Sequence, residues 1–202
     1  MPIDLQTLSK KFIVSEKTDS ILTYESSIWK SADTLRSSVG LKDSDFPRFM
    51  MCFLALALVE SRIVRAAQRA ILEYPDDEQD YIDEVKDVVK YFYNPVIVEK
   101  GITLKDLVKT STGFDTAFNE YLSGFTGEFK KLVGIVEGND DDNLNLMGRV
   151  RTLSGKDALL PYLSSWAEVD LTPYDNYEVT TLEEHIKRKW ADMSAETAGE
   201  QY

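Results

Sequence analysis

Arg62, Arg65 and Arg69 stand at i, i+3 and i+7, a spacing that gathers three guanidinium groups on one face of a helix. No acid interrupts residues 61–72. Cations placed this way suit the oxygens of a phosphate backbone. Smaller basic groups follow at Lys130-Lys131, at Arg149 with Arg151 and Lys156, and at Lys187-Arg188-Lys189. Each cluster admits two readings. One is a cationic track touching DNA that another domain holds. The other is a solvated helix face whose cations pair with the abundant carboxylates. The candidate DNA-facing residues are therefore Arg62, Arg65, Arg69, Lys130, Lys131, Arg149, Arg151 and Lys156.

Other chemistry finds less support, and no catalytic, cofactor-binding or metal-ligating residue is assigned. His185 is the sole histidine and Cys52 the sole cysteine, so no triad and no histidine-rich metal site can be drawn. The stretch "EYPDDEQDYIDE" at 73–84 holds seven acids and no base. It lacks the spacing and central glycine of a calcium loop and reads as a solvated helix start. Gly124 and Gly127 in "SGFTGEF" have no strand before them and read as a joint between helices rather than a phosphate loop. Tyr93-Asn94-Pro95-Val96 is similar to the Asn-Pro-Pro-aromatic loop by which amino-methyltransferases hold a flipped base. The second proline and the aromatic are missing, and Pro95 reads as a helix terminator.

Composition narrows the classes. The chain has 202 residues, 43% of them hydrophobic, and a net charge of −12. That is enough apolar material for a folded core, while the charge argues against a free-standing nucleic-acid binder. A single cysteine points to a reducing, cytoplasmic setting. The apolar run Phe49–Val59 has eleven residues, short of the ~20 needed to span a membrane, and the N-terminus shows no signal pattern. No membrane partner is expected.

The elements that must carry these residues are helical nearly throughout. Amphipathic spacing predicts helices over 3–14 and 25–39, the latter closed by Gly40. The longest runs from the Asp43–Pro47 start to about Leu72, apolar almost all round in its first half and so central. Further helices follow the acidic start at 76–78, the capping box Thr103–Asp106, Phe114 and Thr126. A last helix, Leu182–Met193, starts from Thr180 with Glu183. "NPVIVEKGI" reads as a short extended piece, and Glu137–Asn145 and Leu171–Asn176 as loops. The expectation is an all-α single domain of about seven to nine helices, with at most a short extended, hairpin-like piece.

Three stretches carry a family resemblance. "IWKSADTLRSSV", followed by "FMMCFLALALVESR", resembles the helical N-terminal domain of the modification (methylase) subunit of type I restriction–modification systems. That family has a Trp-x-x-Ala-Asp-x-Leu-Arg stretch before a Leu/Phe-rich helix. Trp29, Ala32, Asp33, Leu35 and Arg36 fit it. "FDTAFNEYLSGFTGEFKKLVGIVE" is similar to a segment with a Gly-Phe turn, here Gly124-Phe125. "TLEEHIKRKWADMSAETAGEQY" is similar to the family's linker helix, which leads to an Ala-Gly-Glu-x-Tyr/Phe end containing Gly199. The resemblance covers 25–202 in patches.

The resemblance implies an N-terminal helical segment over 1–24, the family domain over 25–178, and a linker helix over 179–202 that leads to an absent methyltransferase domain. It implies that the whole subunit transfers a methyl group from S-adenosylmethionine to N6 of adenine. The partners so implied are DNA, a specificity subunit, a second methylase subunit and a restriction subunit. This chain alone is expected to be inactive, to hold no cofactor and to bind DNA weakly. Its domain would help clamp DNA and assemble the complex, with "MSAETAGEQY" as a hinge. The competing class is a non-enzymatic helical adaptor that docks a protein.

Overall fold

The computed structural model describes residues 2–18, 20–110, 112–136 and 144–199. Among them are eleven α-helices and no strand. In order these are α1 (Leu5–Lys11), α2 (Glu25–Thr34), α3 (Phe46–Glu73), α4 (Glu78–Val88), α5 (Pro95–Val98) and α6 (Leu104–Leu107). There follow α7 (Phe114–Ser123), α8 (Gly127–Val133), α9 (Leu146–Ser154), α10 (Leu159–Trp166) and α11 (Asn176–Gly199). α5, α9 and α10, which the sequence pattern did not single out, lift the count above the expected seven to nine.

The all-α architecture is organised around α3. Its 28 residues carry Pro47 in the first turn, where the missing N–H is no loss. Phe49, Phe53, Leu56, Ile63, Ala67 and Ile71 are buried along its length, each large apolar side chain contributing about 1.5–3 kcal/mol on burial. α1, α2, α4, α5, α9 and α10 all touch α3, while α2 packs most extensively on α10. α2 ends in a π-helical turn, Leu35–Val39, and Gly40 closes it at φ 74°, a conformation glycine adopts without strain.

Local signals set the boundaries. Asp77 accepts hydrogen bonds from the N–H groups of Gln79 and Asp80 and so starts α4. Thr103 and Asp106 form the expected capping box on α6. The expectation of an extended piece at "NPVIVEKGI" is overturned. Asn94 accepts from the Val96 N–H at 3.0 Å, and Pro95, fixed near helical φ, opens α5 instead.

α11 also differs from expectation. It begins six residues before the expected Leu182, at Asn176, because Asp175 and Glu178 cap each other reciprocally: the Asp175 N–H donates to Glu178 Oε2 at 3.0 Å and the Glu178 N–H to Asp175 Oδ1 at 2.9 Å. Thr180 lies inside the helix, its hydroxyl donating to the Asn176 carbonyl. At the other end Ala, Glu and Met are good helix formers, and the helix continues through Gly199. The expected hinge is thus helical over 193–199, and its last three residues lie outside the described ones. Residues 137–143 of the expected loop also lie outside them, while Asn145 caps α9.

Candidate functional site

The three arginines on α3 do not act alike. Arg62 donates from Nη2 and Nε to Asn176 Oδ1 at 3.0 and 3.3 Å, and from Nη1 to the Leu171 carbonyl at 3.4 Å. Arg65 Nη1 donates to the Tyr174 carbonyl at 3.2 Å. Both therefore hold the 171–176 connector that aims α11. Burial, then the neighbouring Arg65 charge, lowers the pKa of Arg62. Arg69 is exposed, with no ion-pair partner among the described residues.

The other cationic positions are equally mixed. Lys130 Nζ donates to the Ser123 carbonyl at the end of α7, and Lys131 is exposed on α8. Arg149 lies over the Phe49 ring at 5.1 Å, its Nε buried without a hydrogen-bond partner. Arg151 and Lys156 are exposed. Arg149 meets α3 near Phe49, thirteen residues before Arg62, which is roughly 20 Å along the axis at 1.5 Å per residue. Arg149 and Arg62 thus sit at different levels of α3.

The motif around Trp29 divides by face. Ala32 and Leu35 are buried beneath α2 and the turn that follows it. Asp33 and Arg36 are exposed and ion-paired at 3.3 Å. Arg36 also pairs with Asp43 at 3.3 Å and lies over the Phe46 ring, tying the end of α2 to the start of α3. Trp29 is half-buried, with Lys189 of α11 over its ring at 5.0 Å.

The same region anchors α11. His185 Nε2 sits 3.1 Å from Glu25, Lys189 pairs with Glu25, and the Trp190 indole N–H donates to the Asp43 carbonyl at 2.7 Å. Lys189, then His185, hold the Glu25 carboxyl below its ordinary value against the opposing effect of burial. Val179, Leu182 and Ile186 are buried beneath these contacts.

Gly124-Phe125 is the joint between α7 and α8. A Cβ on Gly124 would come within 2.3 Å of Asn94 Oδ1. Phe125 packs between Tyr121 and Phe129, at 5.5 and 4.7 Å. Asn94 is fully buried, and its amide donates to the Tyr121 carbonyl at 2.9 Å. The Tyr93–Val96 stretch is therefore a helix cap. Gly199 is the final residue of α11.

The acidic stretch at 73–84 has structural employment as well. Asp77 caps α4, and Glu78 accepts from the Ile3 N–H at 3.0 Å. Among the described residues no group of three or more His, Cys, Asp or Glu is arranged to hold a metal. Cys52 is buried, and burial pushes its thiol up to about 11, far from a reactive thiolate.

One polar residue was not anticipated. Glu60, on α3, lines a cleft of about 760 Å³ bounded by α6 and by segments near residues 11–15 and 164–172. Its Oε2 accepts from the Leu104 N–H at 2.8 Å and from the Tyr121 hydroxyl at 2.6 Å. Burial pushes the carboxyl up to about 7, with the Asp106 and Asp170 charges adding to it and the two hydrogen bonds opposing it. A lone carboxylate at the end of the apolar run "ALALVE" was the available signal, since charged groups on a core helix are rarely unpartnered.

Comparison with protein families matches residues 24–155 to the model described as the HsdM N-terminal domain. No curated protein and no solved structure matches the chain.

Proposed function

Because the chain belongs to the HsdM N-terminal domain family, the N-terminal domain of the methylase subunit of type I restriction–modification systems, we propose that it is the accessory helical lobe of a DNA adenine-N6 methyltransferase. The lobe closes over DNA and helps assemble a cytoplasmic complex with a specificity subunit, a second methylase subunit and a restriction subunit. The family match over 24–155 carries this reading. α11 is anchored to the lobe through Glu25, Asp43 and a buried apolar face, which supports a lobe that holds its last helix in place. Extruding a base costs a few kcal/mol, which a rigid lobe contacting the duplex offsets.

S-adenosylmethionine belongs, on this reading, to the subunit's methyltransferase domain.

In the assembled complex, Arg69→Glu with Arg151→Glu and Lys156→Glu is expected to weaken binding to the target duplex. The salt dependence should flatten by about 0.9 for each phosphate no longer neutralised. A complex lacking residues 24–155 that binds and methylates DNA as the intact one does would overturn the proposal. The net charge of −12 favours one second reading, a protein-docking adaptor, which requires binding to a protein partner that is undiminished without the other subunits.

A further inference from the structure

The cleft beside Glu60 has no part in the function proposed above. Its volume of about 760 Å³ lies within the range of small-molecule sites, which pair an apolar lining with a few placed polar groups. Ala57, Val64, Val108 and Trp166 supply apolar wall. The polar groups are sorted by availability. Asp170 is already occupied by the Ser15 hydroxyl and by the N–H and hydroxyl of Thr172. Lys11 is turned to the Gly101 carbonyl at 2.9 Å and to Asp106 at 3.7 Å. Ser61 and Ser164 donate to backbone carbonyls one turn back.

Glu168 accepts from the Ser27 hydroxyl at 2.8 Å and pairs with Lys30 at 3.9 Å. Three groups are left over. Glu60 accepts both of its hydrogen bonds on Oε2, so Oε1 has no donor from the described residues. Lys105 and Lys109 line the cleft, are exposed, and have no ion-pair partner among the described residues. Lys105 lies on α6 and Lys109 in the turn that follows it, where the Lys109 N–H donates to the Asp106 carbonyl at 3.2 Å. A carboxyl oxygen, Oε1, with no donor from the described residues thus faces the same space as two cations lacking an anion. A pure anion would leave Oε1 without a donor, and a pure cation would leave the lysines without a partner.

We propose that this cleft binds a small amphoteric molecule of the amino-acid type, its N–H-donating end on Glu60 Oε1 and its carboxylate between Lys105 and Lys109. Glu60 is the gatekeeper of that site, because its carboxyl accepts a cationic head only when ionised. The charged and titratable groups around it are Lys105 and Asp106 on α6, Lys109 just after it, Tyr121 on α7, Asp170 on the connector, Lys11 on α1, and Glu168 beyond α10. The Asp106 and Asp170 charges oppose its ionisation. With the carboxyl titrating at about 7, binding strengthens as pH rises through neutrality.

The test is amide-shift mapping by two-dimensional NMR, with L-arginine as the probe. Agmatine, which lacks the carboxylate, and acetate, which lacks the donor, are the matched controls. Arginine at millimolar concentration should shift amides near 57–64, 103–109 and 164–172, more strongly at pH 8 than at pH 6, with much smaller effects from either control. Lys105→Ala with Lys109→Ala, both at exposed positions and so safe for folding, should weaken binding about tenfold. Glu60→Gln should remove the pH dependence. Absence of clustered shifts, equal response to agmatine, or arginine binding unaffected by the lysine changes would overturn the proposal. None of these outcomes bears on the DNA reading.

Discussion

Gly124 shows how much one hydrogen atom decides. Asn94 caps α5 and holds the Tyr121 carbonyl through the same side chain, and the space beside it admits only glycine. Gly124→Ala is expected to destabilise the fold by about 1–3 kcal/mol, the usual effect of overpacking a filled interior. The urea midpoint, at unchanged slope, measures it. Glu60 makes the second residue-level prediction. Its folded pKa of about 7 lies above the ordinary 4.5, so folding favours the protonated form. The associated stability is fully present below about 4.5 and is lost as pH rises through 7, by up to about 3 kcal/mol at ~1.36 kcal/mol per unit. Glu60→Gln keeps an oxygen for Leu104 and Tyr121 and carries no charge. It should therefore be about as stable as the parent at pH 5 and more stable at pH 8, by thermal unfolding across that range.

At the scale of elements, α11 is the helix whose placement matters, and α3 places it. Arg62 and Arg65 pin the 171–176 connector through its backbone carbonyls and the Asn176 side chain. Glu25 and Asp43 then receive the helix a few turns on. Arg62→Ala with Arg65→Ala should speed amide exchange over 171–182 while leaving α3 and α10 protected. Arg69→Ala should leave the exchange pattern as it was. Equal protection in both variants would show that the connector holds its shape without the arginines. The capping pair at Asp175 and Glu178 makes the same point in the sequence. The pattern was readable at Thr180–Glu183 too, and the tertiary anchor at 171–176 favoured the earlier start.

For the whole molecule, charge is the governing quantity. At −12 the chain repels a duplex over roughly a Debye length of 8 Å at physiological salt. Its exposed candidate cations, Arg69, Lys131, Arg151 and Lys156, are few. By itself the chain should bind a plain duplex no more tightly than non-specific proteins do, with a Kd at or above about 10⁻⁴ M. Fluorescence anisotropy against salt measures this, and tight, salt-sensitive binding would contradict it. On this view DNA affinity is a property of the assembled complex, in which basic partners supply the neutralising charge. No helix among the described residues is long and apolar enough to cross a membrane.

Much of this was legible from residue order because the relevant physics is local. Helical periodicity, the Gly40 stop, the Thr103–Asp106 box, the central apolar helix and the Trp29–Arg36 motif all depend on neighbours within a few positions. The helical class and the family followed from them. What the chain order left open depended on partners far away. Arg62 reads as a surface cation until a carbonyl 109 residues on is brought to it. The Asn94-Pro95 pair reads as an extended loop until Tyr121 and Gly124 close over it. Glu60 reads as one acid among 35 acidic residues until folding removes its water and leaves one oxygen facing a cleft. Local hydrogen bonds and periodicity are written in sequence, but desolvation and long-range pairing exist only once the helices have packed.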